Sequence, residues 1–271
     1  MFGFYFKKNF ADGWDNFFFL VLSNAVTILL LVGSYFALKA VDSFGPYAFL
    51  LAFILCMGIL SVSLFAWGAN AAKIADFRAP SFGVFFSALK SVWRIGLTFG
   101  VMVAVVLILV RFAVAYYLGM YFKDGSLLGL IITAALGWFV FVSAIALQYF
   151  IPLYFLQDNN GFKKCLKKSF LIFYDNVGFS IELFFVNLLL LILSIVTFMI
   201  IPGLNGILLS SMNALRLRLY KYDWIEKMSE TDPDFEKNRD KRNEVPWNEL
   251  LADDKESLGP RKLSSFIFPW K

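Results

Sequence analysis

The chain has 271 residues, 59% of them hydrophobic and 17% charged, with 33 Phe, no His and a mean hydropathy of +0.69. Soluble domains carry about 25% charged residues, so this is the composition of an integral membrane protein, and without His the common catalytic triads and His-ligated zinc or haem are excluded. The formal net charge of +5 comes from the part before Lys221, where it reports membrane topology and not nucleic-acid binding.

The first sixteen residues, MFGFYFKKNFADGWDN, form an amphipathic segment. They hold Lys7, Lys8, Asp12 and Asp15, no small-residue cleavage site follows, and the next apolar run is longer than a signal core, so the first span is expected to be retained. Apolar runs near the length that crosses a bilayer follow at about Phe17–Leu38, Tyr47–Trp67, Ile95–Leu118, Leu127–Phe150 and Phe179–Ile201. A sixth, Gly203–Leu219, is shorter and ends in Arg216 and Arg218; it reads either as a span or as a half-span folded against its neighbours. Basic residues gather on alternate connections: Lys7 and Lys8; Lys73, Arg78, Lys90 and Arg94; Lys163, Lys164, Lys167 and Lys168; then Arg216, Arg218 and Lys221. The opposite connections hold only Lys39 with Asp42 and Lys123 with Asp124. This asymmetry predicts six spans with both termini cytoplasmic.

One phrase occurs twice. KKNFADGWDN at 7–16 returns as KKSFLIFYDN at 167–176, and PSFGVFFSALKSVWR before the third span has the same amphipathic character but reads Arg94-Ile95 where the others read Asp-Asn. The chain therefore reads as an all-α protein with six transmembrane helices. It is organised as three modules (about 1–72, 73–156 and 157–221), each an interfacial helix followed by a helical hairpin, with a cytoplasmic tail over 222–271. Trp14, Asp15, Asn16 and Tyr174, Asp175, Asn176 are the expected elbows, where Asp or Asn caps the new helix and the aromatic holds headgroup depth. The proline–acid–basic signature of mitochondrial carriers is missing from the odd spans.

Candidate functional residues are few. Arg111 and Glu182 lie near opposite ends of their spans and read as anchors. Asn24, Gln148, Asn187 and Asn213 either line a small polar cavity or, with Asn205, bond helix to helix. Gly96/Gly100 and Ser210/Ala214 have the spacing of close helix contacts, IPGLNG at 201–206 reads as a tight outer turn, and Cys56 and Cys165 as small apolar filler. Neither a metal cluster nor a phosphate loop nor a nucleophile–base pair stands in the sequence, so no catalytic, cofactor or metal residue is assigned. The tail has mixed charge but ends in SSFIFPWK; Phe266, Ile267, Phe268, Pro269, Trp270 and Lys271 are a candidate docking element, acting on this chain or on a partner, or else dipping into the interface.

Three stretches carry a family likeness: LVLSNAVTILLLVGSYF, WGANAAKIADFRAPSFGVFFSALKSVWRIGLTFG and YFIPLYFLQDNNGFKKCLKKSFLIF. Together they resemble the YesL-like family of small bacterial membrane proteins over about residues 10–220, although the long charged tail departs from it. The resemblance implies an accessory role in carbohydrate uptake beside ABC-type transporters and brings no catalytic residues. The expected function is a non-enzymatic accessory or scaffold subunit contacting the lipid bilayer and a membrane-protein partner. The alternative is a small solute transporter.

Overall fold

A computed structural model of the chain describes residues 1–232, 235 and 244–261. The elements are all helices: α1 (Phe2–Asp15), α2 (Phe17–Asp42), α3 (Pro46–Ala75), α4 (Phe82–Asp124), α5 (Leu127–Leu147), α6 (Phe150–Leu156), α7 (Phe162–Asp175), α8 (Val177–Val196), α9 (Gly203–Thr231), α10 (Trp247–Leu250) and α11 (Ala252–Leu258). Five stretches are long and apolar enough to cross a membrane: Phe17–Asp42, Pro46–Ala75, Phe82–Asp124, Leu127–Leu156 and Val177–Val196. Helices suit such sequences because each satisfies its own backbone where water is scarce.

The two elbows are single-residue breaks at Asn16 and Asn176. Each asparagine amide donates back to the carbonyl four residues earlier, Asp12 at 2.9 Å and Ile172 at 3.2 Å. Each asparagine carbonyl accepts the first amide bond of the following helix, from Leu20 and Ser180 at 2.9 Å. The side chains thus close the preceding helix, and neither makes the side-chain N-cap bond to the new helix that the sequence suggested. The middle segment has no elbow at all. There α4 runs unbroken for 43 residues, roughly 64 Å, through Arg94-Ile95. Without an Asp-Asn pair nothing in the side chains offers to end the helix, and the separate interfacial helix expected for the second module is the first part of α4.

Helices α3 and α4 approach closely because glycines face each other. A Cβ on Gly100 would meet the Met57 carbonyl at 2.5 Å and Gly58 Cα at 2.8 Å, and one on Gly96 would meet Val62 Cα at 2.8 Å. Helix α9 is the pillar of the bundle. It packs against α1, α2, α3, α6 and α8, and its residues are almost continuously buried from Leu208 to Leu215. Its hydropathy falls short of a span's because it carries Asn205, Asn213, Arg216 and Arg218, which find partners in the surrounding helices and turns. It also runs on to Thr231, so the domain boundary expected at 221/222 falls inside it. The described part of the tail, 244–261, is built into the fold: Leu251 is in the main core with Trp247 packed against it, and Leu258 is buried beside Ala11 and Phe4.

The core is confined to one half of the bundle. No residue of α2 beyond Thr27, none of α3 before Gly58 and none of α4 beyond Ala104 is buried. In α5 the buried residues are Gly129, pressed on the Tyr117 carbonyl of its own hairpin, and then Ile145 and Ala146.

Candidate functional site

Two buried polar systems lie along α9. The first is a chain of hydroxyls and amides in the middle of the core. Tyr5 donates to Ser210 Oγ at 2.6 Å, and Ser210 donates to Asn187 Oδ1 at 2.6 Å. The Asn187 amide reaches Ser211 Oγ at 3.0 Å and Gln148 Oε1 at 3.2 Å, and the Gln148 amide donates to the Ser180 carbonyl at 3.0 Å. Tyr149 bonds Ser180 Oγ at 3.0 Å, and that hydroxyl closes on the Asn176 carbonyl at 2.8 Å. Three helices (α1, α8 and α9), the α5–α6 link and the α7–α8 elbow are joined this way, each partner preventing the other from being buried unpaired.

The second is a cluster of charges. Lys8 is fully buried; its ammonium lies 3.0 Å from Asp12 Oδ2 and 3.5 Å from the centre of the Phe77 ring. Phe77 takes a left-handed backbone, φ +55°, just past the end of α3, a conformation that a bulky residue adopts only when its surroundings hold it there. Beside it Arg216 donates to the Ala75 carbonyl at 2.6 Å and to Asp76 Oδ1 at 2.7 Å. The other arm of Arg216 holds Asp254 Oδ1 at 3.1 Å, which also accepts from Tyr220. Asp254 belongs to α11 and is only 4% exposed, so the tail places a charge inside the bundle. Arg218 lies 3.9 Å over the Phe179 ring and 5.9 Å from that of Trp247. Burial pushes Lys8 below the ordinary lysine range against the pull of Asp12, and it pushes Asp12 above the ordinary carboxylate range against the pull of Lys8. Desolvation dominates for both partners.

The four residues expected to line a cavity part company. Gln148 and Asn187, with Ser211, border a cleft of about 460 Å³ whose other walls are apolar, among them Leu64, Phe99 and Phe184. Asn213 lies elsewhere, donating to Asn9 Oδ1 at 3.3 Å. Asn24 clasps the α8–α9 turn, its amide donating to the Ile200 and Pro202 carbonyls at 3.0 and 2.6 Å while its Oδ1 accepts from Asn205 N at 3.0 Å. Gly203, φ +66°, sits against that amide with no room for a Cβ.

At the elbows Trp14 and Tyr174 are exposed, Asp15 pairs with Arg261, and Asp175 accepts from Tyr222 at 2.8 Å. Arg111 and Glu182 are exposed, and Cys165 is buried. Phe266 to Lys271 lie outside the described residues. Sequence reasoning missed the charge cluster: Lys8 was one of two adjacent basic residues, and its pairing with Asp12 under the Phe77 ring distinguishes it from Lys7. No family model, curated protein or solved structure matches the chain.

Proposed function

We propose that this protein is a non-enzymatic accessory or scaffold subunit of a bacterial cytoplasmic-membrane complex. The resemblance to the YesL-like family points further, to carbohydrate uptake of the ABC type. The observation that supports the reading is the closure of the polar chain from Tyr5 to Ser180. The amides and hydroxyls of Tyr5, Gln148, Asn187 and Ser210 are bonded to one another across helices, including the two that border the cleft. Such a network fixes one arrangement of helices, which suits a scaffold better than a carrier that must alternate between two. Both ends of the described chain belong to one end of the bundle, where Leu258 packs on Ala11 and Arg261 pairs with Asp15. With the basic residues of α1, α7 and α9 this supports cytoplasmic termini. The basic face of α7, with Lys163, Lys164 and Lys167 exposed and Cys165, Ser169 and Ile172 buried, suits the anionic surface of the bilayer.

The cleft bordered by Gln148 and Asn187 keeps a second reading in view, a small transporter. Purified protein in liposomes decides between them. The scaffold reading predicts sugar and ion flux no faster than in protein-free vesicles. Saturable flux that Asn187→Leu abolishes, with the protein still folded, refutes it.

A further inference from the structure

The hairpin of α8 and α9 is the shortest of the three, and its neighbours fix its depth. Asn24, which holds its turn, lies only two turns into α2, and α2 then continues to Asp42, about 27 Å farther at ~1.5 Å per residue. At its other end Arg216 is fastened to the last residue of α3; α9 begins ~20 Å from that point while α3 extends ~45 Å. On the third side Asn187 meets Gln148; beyond that level α8 has ~14 Å left to run and α5 ~30 Å. Three separate contacts therefore put the α8–α9 turn far short of the tips of the other hairpins. The confinement of the core to one half of α2, α3 and α4 follows, since that is the half the short hairpin fills.

The turn has the chemistry of a place without water. The α2–α3 and α4–α5 turns carry Lys39 with Asp42 and Lys123 with Asp124, whereas no charged residue stands between Glu182 and Arg216. Ile195, Val196 and Phe198 are more than half exposed there, so an apolar surface surrounds the turn. Much of its irregular backbone is nonetheless paired within the protein. Ser194 Oγ accepts from Gly203 N at 2.9 Å, Thr197 Oγ1 accepts from Ile201 N at 3.3 Å and donates to the Ile201 carbonyl, and Asn24 takes the carbonyls of Ile200 and Pro202. Met199 N and Ile200 N bond the carbonyls of Ser194 and Thr197 at 2.6 and 3.1 Å. Pairing of this kind within the protein is what irregular backbone at membrane depth requires.

We propose that α8 and α9 form a re-entrant hairpin. It enters the membrane from the face where α1 and the tail lie, turns at Thr197–Pro202 within the hydrocarbon, and leaves by the same face. Four helices, α2 to α5, then cross completely, in place of six, and the termini still share one side. Acyl chains of the opposite leaflet fill the space beyond the turn, against the exposed Leu29, Tyr35 and Phe36 of α2. The inference does not rest on the scaffold reading.

The test is the depth of the turn. In a Cys56→Ala/Cys165→Ala background, a nitroxide is attached at Phe198→Cys, and at Ser43→Cys and Ser126→Cys as turns that reach water, and the protein is reconstituted in phosphatidylcholine–phosphatidylglycerol vesicles. Power saturation is read with oxygen and with a water-soluble nickel chelate. The expected result is high oxygen and low nickel accessibility at Phe198, with the reverse at Ser43 and Ser126. Nickel accessibility at Phe198 equal to that at Ser43 overturns the proposal. Ile195→Cys, on a regular exposed helical turn, gives the same reading should the Phe198 variant fail to fold.

Discussion

Replacing Lys8 with Met keeps the length and apolar volume of the side chain and removes only its charge. The ammonium has no contact with water, and its partner Asp12 is only 5% exposed. In Lys8→Met the Asp12 carboxylate therefore stays buried and loses its nearest countercharge, leaving Arg216 as its remaining basic neighbour. Breaking one half of a buried pair costs about 3–5 kcal/mol, and losing the ammonium over Phe77 adds ~1 kcal/mol. For a chain of this size the sum lowers the midpoint of thermal unfolding by roughly 10 °C. The double variant Lys8→Met/Asp12→Leu has no charge left to desolvate and recovers most of that loss, because burial opposes ionisation of both groups. The single variant also becomes pH-sensitive. A carboxyl whose folded pKa is raised binds its proton more readily folded than unfolded, so the deficit of Lys8→Met shrinks as pH falls toward the ordinary carboxylate range. Circular dichroism melts of the four proteins of the cycle, in mild detergent at pH 7 and pH 5, give every quantity. A single variant within about 1 kcal/mol of the parent, or a double variant no better than the single, refutes the buried pair.

Asn24→Leu strips partners from two carbonyls and one amide of the α8–α9 turn at once, at ~1–3 kcal/mol for each group left buried and unpaired; protease resistance of α8 and α9 in proteoliposomes is expected to fall, and unchanged resistance contradicts the clasp. Gly100→Val forces a side chain into the Met57 carbonyl and is expected to separate α3 from α4, destabilising by several kcal/mol, on the order of a strongly overpacked core; the same change at Gly33, which has open space around it, serves as the neutral control. Burial raises the Cys165 thiol to about 11, from an ordinary 9.0. It therefore reacts with iodoacetamide at pH 8 only after unfolding, and its contribution to stability is lost as pH rises from about 9 toward 11. Ready alkylation of folded Cys165 contradicts its place on the buried face of α7.

Patterns carried by neighbours in sequence were legible. The amphipathic stripes of α1 and α7, the two Asp-Asn breaks and the Gly96/Gly100 approach all follow from spacings of three and four residues. The middle segment departed from the expected separate interfacial helix, and Arg94-Ile95 in place of Asp-Asn was the signal for the missing break. Features made by distant contacts were not legible. Nothing near Lys8 announces that Phe77 will cover it, and nothing near Asn24 announces a turn some 180 residues later that it will hold. Gln148 and Asn187 were recognisable as polar positions in apolar runs, but their bond to each other depends on how α5 and α8 pack. The segment at 203–219 read either as a span or as a half-span folded against its neighbours, because the helices that enclose it come from distant parts of the chain.

The scaffold account stands or falls on a companion. Mild-detergent affinity purification of the intact chain, beside a version ending at Leu258, with mass spectrometry and mass photometry of both, tests it most directly. The account predicts a second membrane protein in fixed stoichiometry with the intact chain, and less of it with the shortened one. Both versions emerging alone and equally stable would contradict it.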